Sequence, residues 1–257
     1  MRTYSLCLLV PVFDHEQAIA RVCEQLKPLG LPILLVDDGS HRACAEVLNQ
    51  LANQQHHLIR LVQNSGKGVA LRVGMAEAQR LGYTHVLTLD ADGQHDIDDL
   101  PAFIEHSQRA QDCLIIGTPR YAYKVPWFRR YRRYLTSFTV RLSCLSRAVR
   151  DSTCGVRVYP LATVNRLLSR CRCGDRMEFD TEVLVRWLWR GGRCENVPMR
   201  VHAPHDGISH YRIVRDNLRM GWTCIRLLGG MMIRLPWLLK QRKQLKRARK
   251  AAATSSR

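Results

Sequence analysis

The sequence predicts an α/β fold in which a mainly parallel β-sheet is covered by helices on both faces. The first observation is a set of short apolar runs, whose continuous hydrophobicity is typical of strands buried on both faces. The second is that segments with the 3.6-residue period of amphipathic helices separate these runs. The third is the regular alternation of strand and helix, which is typical of parallel sheets.

The predicted elements follow one another in order along the chain. The strands are Leu6–Val12, Pro32–Val36, Leu58–Val62, Thr84–Leu89 and Asp112–Gly117, with a later edge strand through Val197. A helix follows each of the first three strands, and the third of these helices is Lys67–Leu81. A further helix, Glu178–Arg190, precedes the edge strand, because Gly191-Gly192 closes it.

Acidic residues follow two of the predicted strands. Asp37 and Asp38 come directly after the second strand, and Asp90 and Asp92 come directly after the fourth. In parallel sheets ligands bind beyond the carboxyl ends of the strands, so we expect both pairs at one edge. Two aspartates this close repel each other unless a cation lies between them, and carboxylates suit Mg²⁺ or Mn²⁺. An acidic loop that caps the next helix would produce the same spacing, so this pair alone leaves both interpretations open.

Charge is distributed unevenly along the 257 residues. Residues 1–120 carry a net charge of −4, whereas residues 121–257 carry +22. The basic half predicts a polyanionic partner, either nucleic acid or the anionic face of a membrane. The N-terminus lacks an export-signal pattern, and the ten cysteines are scattered, mainly in apolar runs. We therefore expect reduced thiols and a cytoplasmic protein.

Four ordered motifs point to a family. They are Val10-Pro-Val-Phe-Asp14, Val36-Asp-Asp-Gly-Ser40, Asn64-Ser-Gly-Lys-Gly-Val-Ala-Leu71 and Thr88-Leu-Asp-Ala-Asp-Gly-Gln-His-Asp96. Together they resemble family 2 glycosyltransferases, and within them the dolichyl-phosphate mannose synthase-like group. Weaker matches continue through Ile116–Arg120, Asp151–Arg157, Met177–Glu182 and Ser209–Tyr211.

The resemblance implies a GT-A nucleotide-diphospho-sugar transferase fold over residues 1–211. Residues 1–120 would form the nucleotide-sugar-binding half and residues 121–211 the acceptor half. The implied reaction moves a sugar from a UDP- or GDP-sugar to a lipid-linked acceptor such as a polyprenyl phosphate, with inversion at the anomeric carbon. The sequence departs from the family pattern at His15 and at Pro119, which is an extra residue.

For the donor, the resemblance assigns a base and ribose pocket to Pro11, Phe13 and Asp37, with Asp37 accepting a hydrogen bond from the base. Lys67 lies between two glycines at a helix start, where backbone N–H groups and the helix dipole favour anions. It would contact the donor diphosphate or ribose.

For the metal, the resemblance implies Asp92 as the principal ligand of Mg²⁺ or Mn²⁺. Asp90 would contact the ribose or the metal, and Gln94 would be a further ligand. The ion would neutralise the diphosphate as it leaves.

For the acceptor, the resemblance assigns Asp151 to position it or to act as a base. Competing carboxylates are Glu178, Asp180 and Glu182. A lipid phosphate is already ionised and needs cations rather than a base, because guanidinium groups bind phosphate bidentately. Candidates for that contact are Arg120, Arg129, Arg130, Arg132 and Arg133. A hydroxyl group of a lipid-like or polyene acceptor is the alternative.

The pattern of basic and apolar residues over 212–239 predicts amphipathic helices that lie at a membrane interface. Five arginines share one sector of a helix drawn through this stretch, namely Arg212, Arg215, Arg219, Arg226 and Arg234. Gly229-Gly230 and Pro236 predict a break into two pieces, and residues 240–257 predict a disordered basic tail. We expect a peripheral protein on the inner face of the cell membrane. The alternative is a core helix followed by a solubilising tail.

Two other functions compete with glycosyl transfer. A nucleotidyltransferase should carry a glycine-rich basic loop after the first strand, whereas this chain has Pro11–Glu16 there. A nucleic-acid-binding protein could use the arginines and aromatics of Tyr121–Tyr134 together with the tail. That function leaves the acidic edge without a role, so we expect no nucleic-acid partner.

Overall fold

The computed structural model describes residues 3–53, 56–203 and 213–255, which form a seven-stranded sheet flanked by helices. The strands are β1 (Leu6–Val12), β2 (Ile33–Asp37), β3 (His57–Arg60), β4 (His85–Thr88), β5 (Cys113–Tyr121), β6 (Arg157–Pro160) and β7 (Arg193–Val201). Their order is β3-β2-β1-β4-β6-β5-β7, and β6 alone runs antiparallel to its neighbours. The mainly parallel sheet predicted from the sequence is confirmed.

Eight helices accompany these strands in the described part of the chain. They are α1 (Glu16–Leu26), α2 (Arg42–Asn53), α3 (Lys67–Arg80), α4 (Leu100–Arg109), α5 (Trp127–Ser143), α6 (Leu161–Arg170), α7 (Phe179–Trp189) and α8 (Ile213–Ser255). The predicted helices near α3 and α7 agree with these bounds to within one residue. Strand β6 and helices α5 and α6 were not among the predicted elements.

The core lies on both faces of the sheet. On β1, Cys7 and Leu9 join the hydrophobic cluster on one face, whereas Leu8 and Val10 join the cluster on the other. All four side chains are fully buried. Because successive side chains of a strand point to opposite faces, a strand covered on both faces must be apolar throughout. The unbroken apolar run of β1 follows from this burial.

The register of the sheet brings the acidic pairs to one edge. Asp37 ends β2 and pairs with Val12, the last residue of the parallel strand β1. Thr88 ends β4 and pairs with Leu9 of the same strand, so Asp90 and Asp92 continue toward that edge. The predicted common edge is confirmed.

Helix α8 differs from its prediction. It runs without interruption from Ile213 to Ser255, with Pro236 inside it. The predicted break was therefore wrong, and the segment from residue 240 to Ser255 is helical rather than disordered. Tertiary packing outweighs the low helix propensity of glycine and proline here. Gly230 passes so close to Trp189 that a Cβ atom would lie 2.6 Å from the indole ring.

One side of α8 belongs to the core. Leu227, Met231 and Leu238 are buried in the cluster that includes Trp189. The guanidinium of Arg234 lies 4.6 Å from the centroid of the Trp189 ring. Residues 209–212, which carry a predicted motif and a predicted membrane arginine, lie outside the described residues.

The contrast between buried and exposed phenylalanines predicts a stability difference. Phe103 of α4 is fully buried, whereas Phe128 of α5 is 52% exposed. We expect Phe103→Ala to lower the free energy of unfolding by about 3–5 kcal/mol, because it leaves a cavity. Phe128→Ala should change it by less than about 0.5 kcal/mol. Urea denaturation measures both, and equal losses would contradict the assignment of α5's outer face to the surface.

Candidate active site

Four charges alternate in sign at the carboxyl edge of the sheet. Asp180 and Arg157 are buried, whereas the side chains of Lys67 and Asp90 are 15% and 28% exposed. The Nζ atom of Lys67, at the start of α3, lies 2.5 Å from Asp90 Oδ1 and 3.3 Å from Asp180 Oδ2. The guanidinium of Arg157 is fully buried, and its Nε atom lies 3.9 Å from Asp180 Oδ1. Each of these charges thus has a partner of opposite sign, which lowers the cost of removing it from water. We call these four residues the charge cluster.

Arg157 also holds the neighbouring backbone. It donates hydrogen bonds to the carbonyl oxygens of Cys154 at 2.9 Å, Ser152 at 2.8 Å and Asp180 at 2.6 Å. These bonds tie the loop before β6 and the first turn of α7 to the same guanidinium. The sequence indicated Asp180 only as one of several carboxylates, and it gave no sign that Arg157 would be its partner.

Electrostatics keep Lys67 and Asp90 of the charge cluster ionised. Burial acts to raise the pKa of Asp90, but the Lys67 ammonium and His95 outweigh it and hold that pKa well below its ordinary value. Burial acts to lower the pKa of Lys67, but Asp180 and Asp90 outweigh it and raise that pKa. Asp90 and Lys67 therefore form a stable pair rather than a proton-exchanging one.

Position 155 requires glycine because Asp90 and Lys67 closely approach its backbone. A Cβ atom at this position would lie 2.5 Å from Asp90 Oδ2 and 2.7 Å from Lys67 Nζ. Any side chain at this position would clash with both charged groups, so either the ion pair or the loop would have to move. The loop that contains Gly155 packs directly on the charge cluster.

Asp92 lies beside the charge cluster without a Lys or Arg partner among the described residues. Its carboxylate accepts hydrogen bonds from the backbone N–H of Gln94 at 3.1 Å and from Gln94 Nε2 at 2.7 Å. Burial, and then the charge of Asp90, raises the pKa of Asp92. His95 Nε2 lies 3.3 Å from Asp90 Oδ2, and the buried Nδ1 atom of His95 bonds no group in the described chain.

Asp92 and Asp90 fit a divalent cation whose remaining coordination positions are filled by substrate oxygens. No three His, Cys, Asp or Glu side chains within residues 3–53, 56–203 and 213–255 come together to hold a metal ion by themselves. Mg²⁺ in phosphate-transfer sites takes one or two carboxylates and fills its shell with phosphate and water oxygens. Asp92 matches that requirement together with Oδ2 of Asp90, since Lys67 bonds Oδ1. Gln94 faces Asp92 through its amide nitrogen, which leaves its amide oxygen for another contact.

Strand β7 fixes the acidic loop from its far side. The backbone N–H of His202 donates to Gln94 O at 2.8 Å, and that of Asp96 donates to Arg200 O at 3.1 Å. The Arg200 guanidinium also pairs with Asp96 and Asp99. These two aspartates thus hold the loop in place and do not belong to the reactive centre.

Asp37 differs from its predicted role. Its carboxylate is fully buried, accepting hydrogen bonds from the Ser40 N–H at 2.8 Å and from Arg60 Nε at 2.7 Å. That burial closes the carboxylate to direct contact with a base. Of the other predicted pocket residues, Pro11 and Phe13 are half-buried at the end of β1.

Asp38 holds the loop that presents Lys67. Its carboxylate accepts hydrogen bonds from the N–H groups of Ser65 at 2.7 Å and Gly66 at 2.8 Å. The adjacent glycines of the loop were expected to admit a phosphate. They instead admit protein backbone, since a Cβ at Gly66 would lie 2.4 Å from Asp175 O, and one at Gly68 2.6 Å from Gly174 O.

Asp151 lies at the other end of the loop that contains Gly155. Its Oδ1 atom accepts hydrogen bonds from the N–H groups of Thr153 and Cys154, both at 2.8 Å, and from Arg133 Nη2 at 3.0 Å. Arg133 belongs to α5. The loop from Asp151 to Gly155 therefore connects α5 with the charge cluster.

The other predicted acceptor residues are dispersed. Arg120 is exposed at the end of β5, in register with Arg200, and it forms no ion pair with a described residue of the Asp90–His95 loop. Arg130 is exposed, and Arg132 Nη1 donates to Asn217 of α8 at 3.2 Å. The side chain of Arg129 lies outside the described residues. The structure thus brings Arg133 toward the site and leaves Arg120 at its margin.

Removal of the Lys67 charge tests the charge cluster. We expect Lys67→Met to lower the free energy of unfolding by about 1–3 kcal/mol, because the partly exposed Asp90 would lose its cation and Asp180 would keep only Arg157. The matched control on the same helix is Arg80→Met, since Arg80 forms an exposed pair with Glu77. Chemical denaturation measures both. A Lys67→Met protein as stable as the control would contradict the role of Lys67 as the shared cation.

Comparison with known proteins identifies the family. The family model described as glycosyl transferase family 2 matches residues 7–167. The undecaprenyl-phosphate 4-deoxy-4-formamido-L-arabinose transferase of Pectobacterium atrosepticum is 28% identical over 182 residues, covering 68% of this chain and 54% of that protein. An uncharacterized protein of Methanocaldococcus jannaschii is 26% identical over 211 residues, covering 79% of this chain and 90% of that protein. The chain thus spans about half the length of the Pectobacterium relative.

Among solved structures, Staphylococcus aureus TarS residues 1–349 in complex with UDP-GlcNAc superimposes with a TM-score of 0.58 at 14% identity. The match covers 89% of this chain and 66% of that one. At this identity the likeness concerns the fold, and it confirms the predicted GT-A arrangement.

Proposed function

Because the chain belongs to glycosyl transferase family 2, we propose that it moves a sugar from a nucleotide diphosphate to a lipid-linked acceptor, with inversion at the anomeric carbon. The observation that carries this proposal is Asp92, a carboxylate without a Lys or Arg partner among the described residues, beside the neutralised Lys67–Asp90 pair. A site with one surplus carboxylate suits Mg²⁺ or Mn²⁺ and a bound diphosphate.

On the donor side, Asp92 and Asp90 would hold the cation, with Gln94 as a further ligand. The bound ion supplies charge neutralisation of the diphosphate leaving group. Pro11 and Phe13, beside the buried Asp37, would border the base and ribose. A uridine diphosphate sugar is the first donor to test, because the similar fold of TarS was solved with UDP-GlcNAc.

On the acceptor side, Asp151 favours a phosphate over a hydroxyl group. Its Oδ1 atom already accepts hydrogen bonds from the N–H and hydroxyl of Thr153 and from the N–H of Cys154, and it pairs with Arg133, so it is poorly placed to remove a proton. A polyprenyl phosphate needs no base, and Arg133, Arg130 and Arg120 would supply cations for it. The name of the Pectobacterium relative, an undecaprenyl-phosphate transferase, supports the same acceptor class.

Helices α5 and α8 suit attachment to a membrane surface. They pack against each other, and both expose large apolar side chains. The exposed residues, which we call the lipid-facing surface, are Trp127, Phe128, Tyr131, Tyr134, Leu135, Phe138 and Leu142 of α5 and Val214, Leu218, Trp222, Ile225, Met232, Ile233, Trp237 and Leu239 of α8. Among the described residues, no helix combines the length and hydropathy needed to cross a bilayer.

Exposed apolar patches of this size in a basic protein favour an anionic lipid interface. We therefore place the protein peripherally, on the inner face of the cell membrane. The same aromatic residues would suit a single-stranded nucleic acid, but that partner would have no use for the acidic edge.

Nucleotide-sugar turnover tests the metal assignment. In the presence of Mn²⁺ or Mg²⁺, we expect slow hydrolysis of at least one of UDP-, GDP- or dTDP-sugars, and its loss by about 100-fold in Asp92→Asn. The control is Asp98→Asn, which removes the same charge from an exposed position of the same segment. Equal activity of the two variants would contradict the role of Asp92.

Vesicle binding tests the lipid-facing surface. Trp127 and Trp222 are 78% and 65% exposed. We expect Trp127→Ser combined with Trp222→Ser to weaken sedimentation with phosphatidylglycerol vesicles by at least about tenfold, because each indole would otherwise be buried in lipid. Val62→Ser, at a fully exposed position on β3's outgoing loop, is the control.

Point substitutions are preferable to removal of residues 212–257, because α8 contributes Leu227 and Met231 to the core. Undiminished vesicle binding by the double variant would contradict the proposal. Salt-sensitive oligonucleotide binding in its place would support the nucleic-acid alternative.

A further inference from the structure

The side chain of Arg226 on α8 is 46% exposed, yet its charged end contacts the protein interior. Its guanidinium pairs with Glu182 of α7, whose side chain is fully buried. The sequence placed Arg226 on the basic sector assigned to a membrane, together with Arg215 and Arg219. The structure gives it a different partner, since a buried carboxylate requires a cation or a full set of hydrogen bonds.

Glu182 also bonds the loop between α6 and α7. Its Oε2 atom accepts the backbone N–H of Gly174 at 2.7 Å. One carboxylate therefore joins α8 on one side to residues 171–178 on the other. We call residues 171–178 the bridging loop.

The bridging loop lies directly on the turn that presents Lys67. The N–H of Val69 donates to Asp175 O at 3.2 Å, and Arg72 Nη1 donates to the carbonyl oxygens of Cys173 at 3.1 Å and Gly174 at 3.2 Å. Gly68 leaves no room for a side chain between the two segments. A displacement of the bridging loop would therefore displace the backbone that carries Lys67.

We propose that Arg226 is a positioning residue for the donor site. It holds the buried charge of Glu182, Glu182 holds Gly174, and the bridging loop holds the first turn of α3 in the place where Lys67 meets Asp90. The C-terminal helix is thereby part of the donor site as well as of the lipid-facing surface. The last step of this inference rests on the proposed function, whereas the link from α8 to α3 does not.

Removing Arg226 and removing the charge of Glu182 should affect the bridging loop differently. Arg226→Met keeps the apolar stem and leaves Glu182 buried with no cation, so the carboxylate must draw in water or a proton and release Gly174. Glu182→Gln retains an oxygen for the Gly174 N–H and needs no cation. The combined Arg226→Met and Glu182→Gln protein should therefore behave like the wild type.

Hydrogen–deuterium exchange tests the structural link without any ligand. In the full-length protein we expect Arg226→Met to accelerate amide exchange by about tenfold in peptides covering residues 66–72 and 171–178. The double variant should restore wild-type exchange. Arg166→Met, an exposed arginine on α6, is the control with the same charge change.

Nucleotide affinity tests the consequence for the site. With UDP and Mn²⁺, and in parallel GDP and Mn²⁺, we expect Arg226→Met to raise the Kd about tenfold and the double variant to return it to the wild-type value. Lower thermal stability with unchanged exchange at residues 66–72 and unchanged Kd would show that Arg226 only fastens α8, and would overturn the proposal.

The remaining outcomes are also decisive. A double variant as perturbed as Arg226→Met overturns the role of the buried Glu182 charge, and this comparison stands even when the single variant folds poorly. A wild-type protein that binds neither nucleotide contradicts the proposed donor. The exchange measurement then still decides whether α8 controls the Lys67 turn.

Discussion

The ammonium group of Lys67, held between Asp90 and Asp180, is the interaction on which the rest of the site depends. It joins the start of α3, the end of β4 and the start of α7, three segments that are far apart in the sequence. Each of these charges is stabilised by the others, so the packing of the three elements is coupled. Once Asp90 is neutralised by Lys67, the neighbouring Asp92 is the carboxylate left for another cation.

The central parallel strands could be predicted from the sequence, whereas α5 and β6 could not. Strand β1 is apolar on both faces because both faces are covered, and a short run of this kind between turn residues is typical of a central parallel strand. Helix α5 exposes aromatic residues as well as arginine, so its apolar side does not mark the core-facing side as it does in an ordinary amphipathic helix. Strand β6 has four residues, which is too short for a periodic signal.

Within the site, local motifs predicted the groups but not their partners. The order of the motifs indicated Lys67 and Asp90, yet their common neighbour Asp180 comes from a helix about ninety residues further along the chain. Asp37 had the expected position, but its pairing with Arg60 closed it to direct contact. Such long-range pairs depend on tertiary packing, which one sequence does not display.

The antiparallel direction of β6 determines which of its residues lie at the carboxyl edge of the sheet. A parallel strand in that position would enter the sheet from the opposite edge and bring only its last residues to the site. Because β6 runs antiparallel between β4 and β5, its first residue, Arg157, and the loop before it arrive beside the end of β4. The polypeptide therefore both leaves and re-enters the sheet at the same place. Material inserted between β5 and β6, such as α5, can change in length or character while its final segment still packs on the charge cluster.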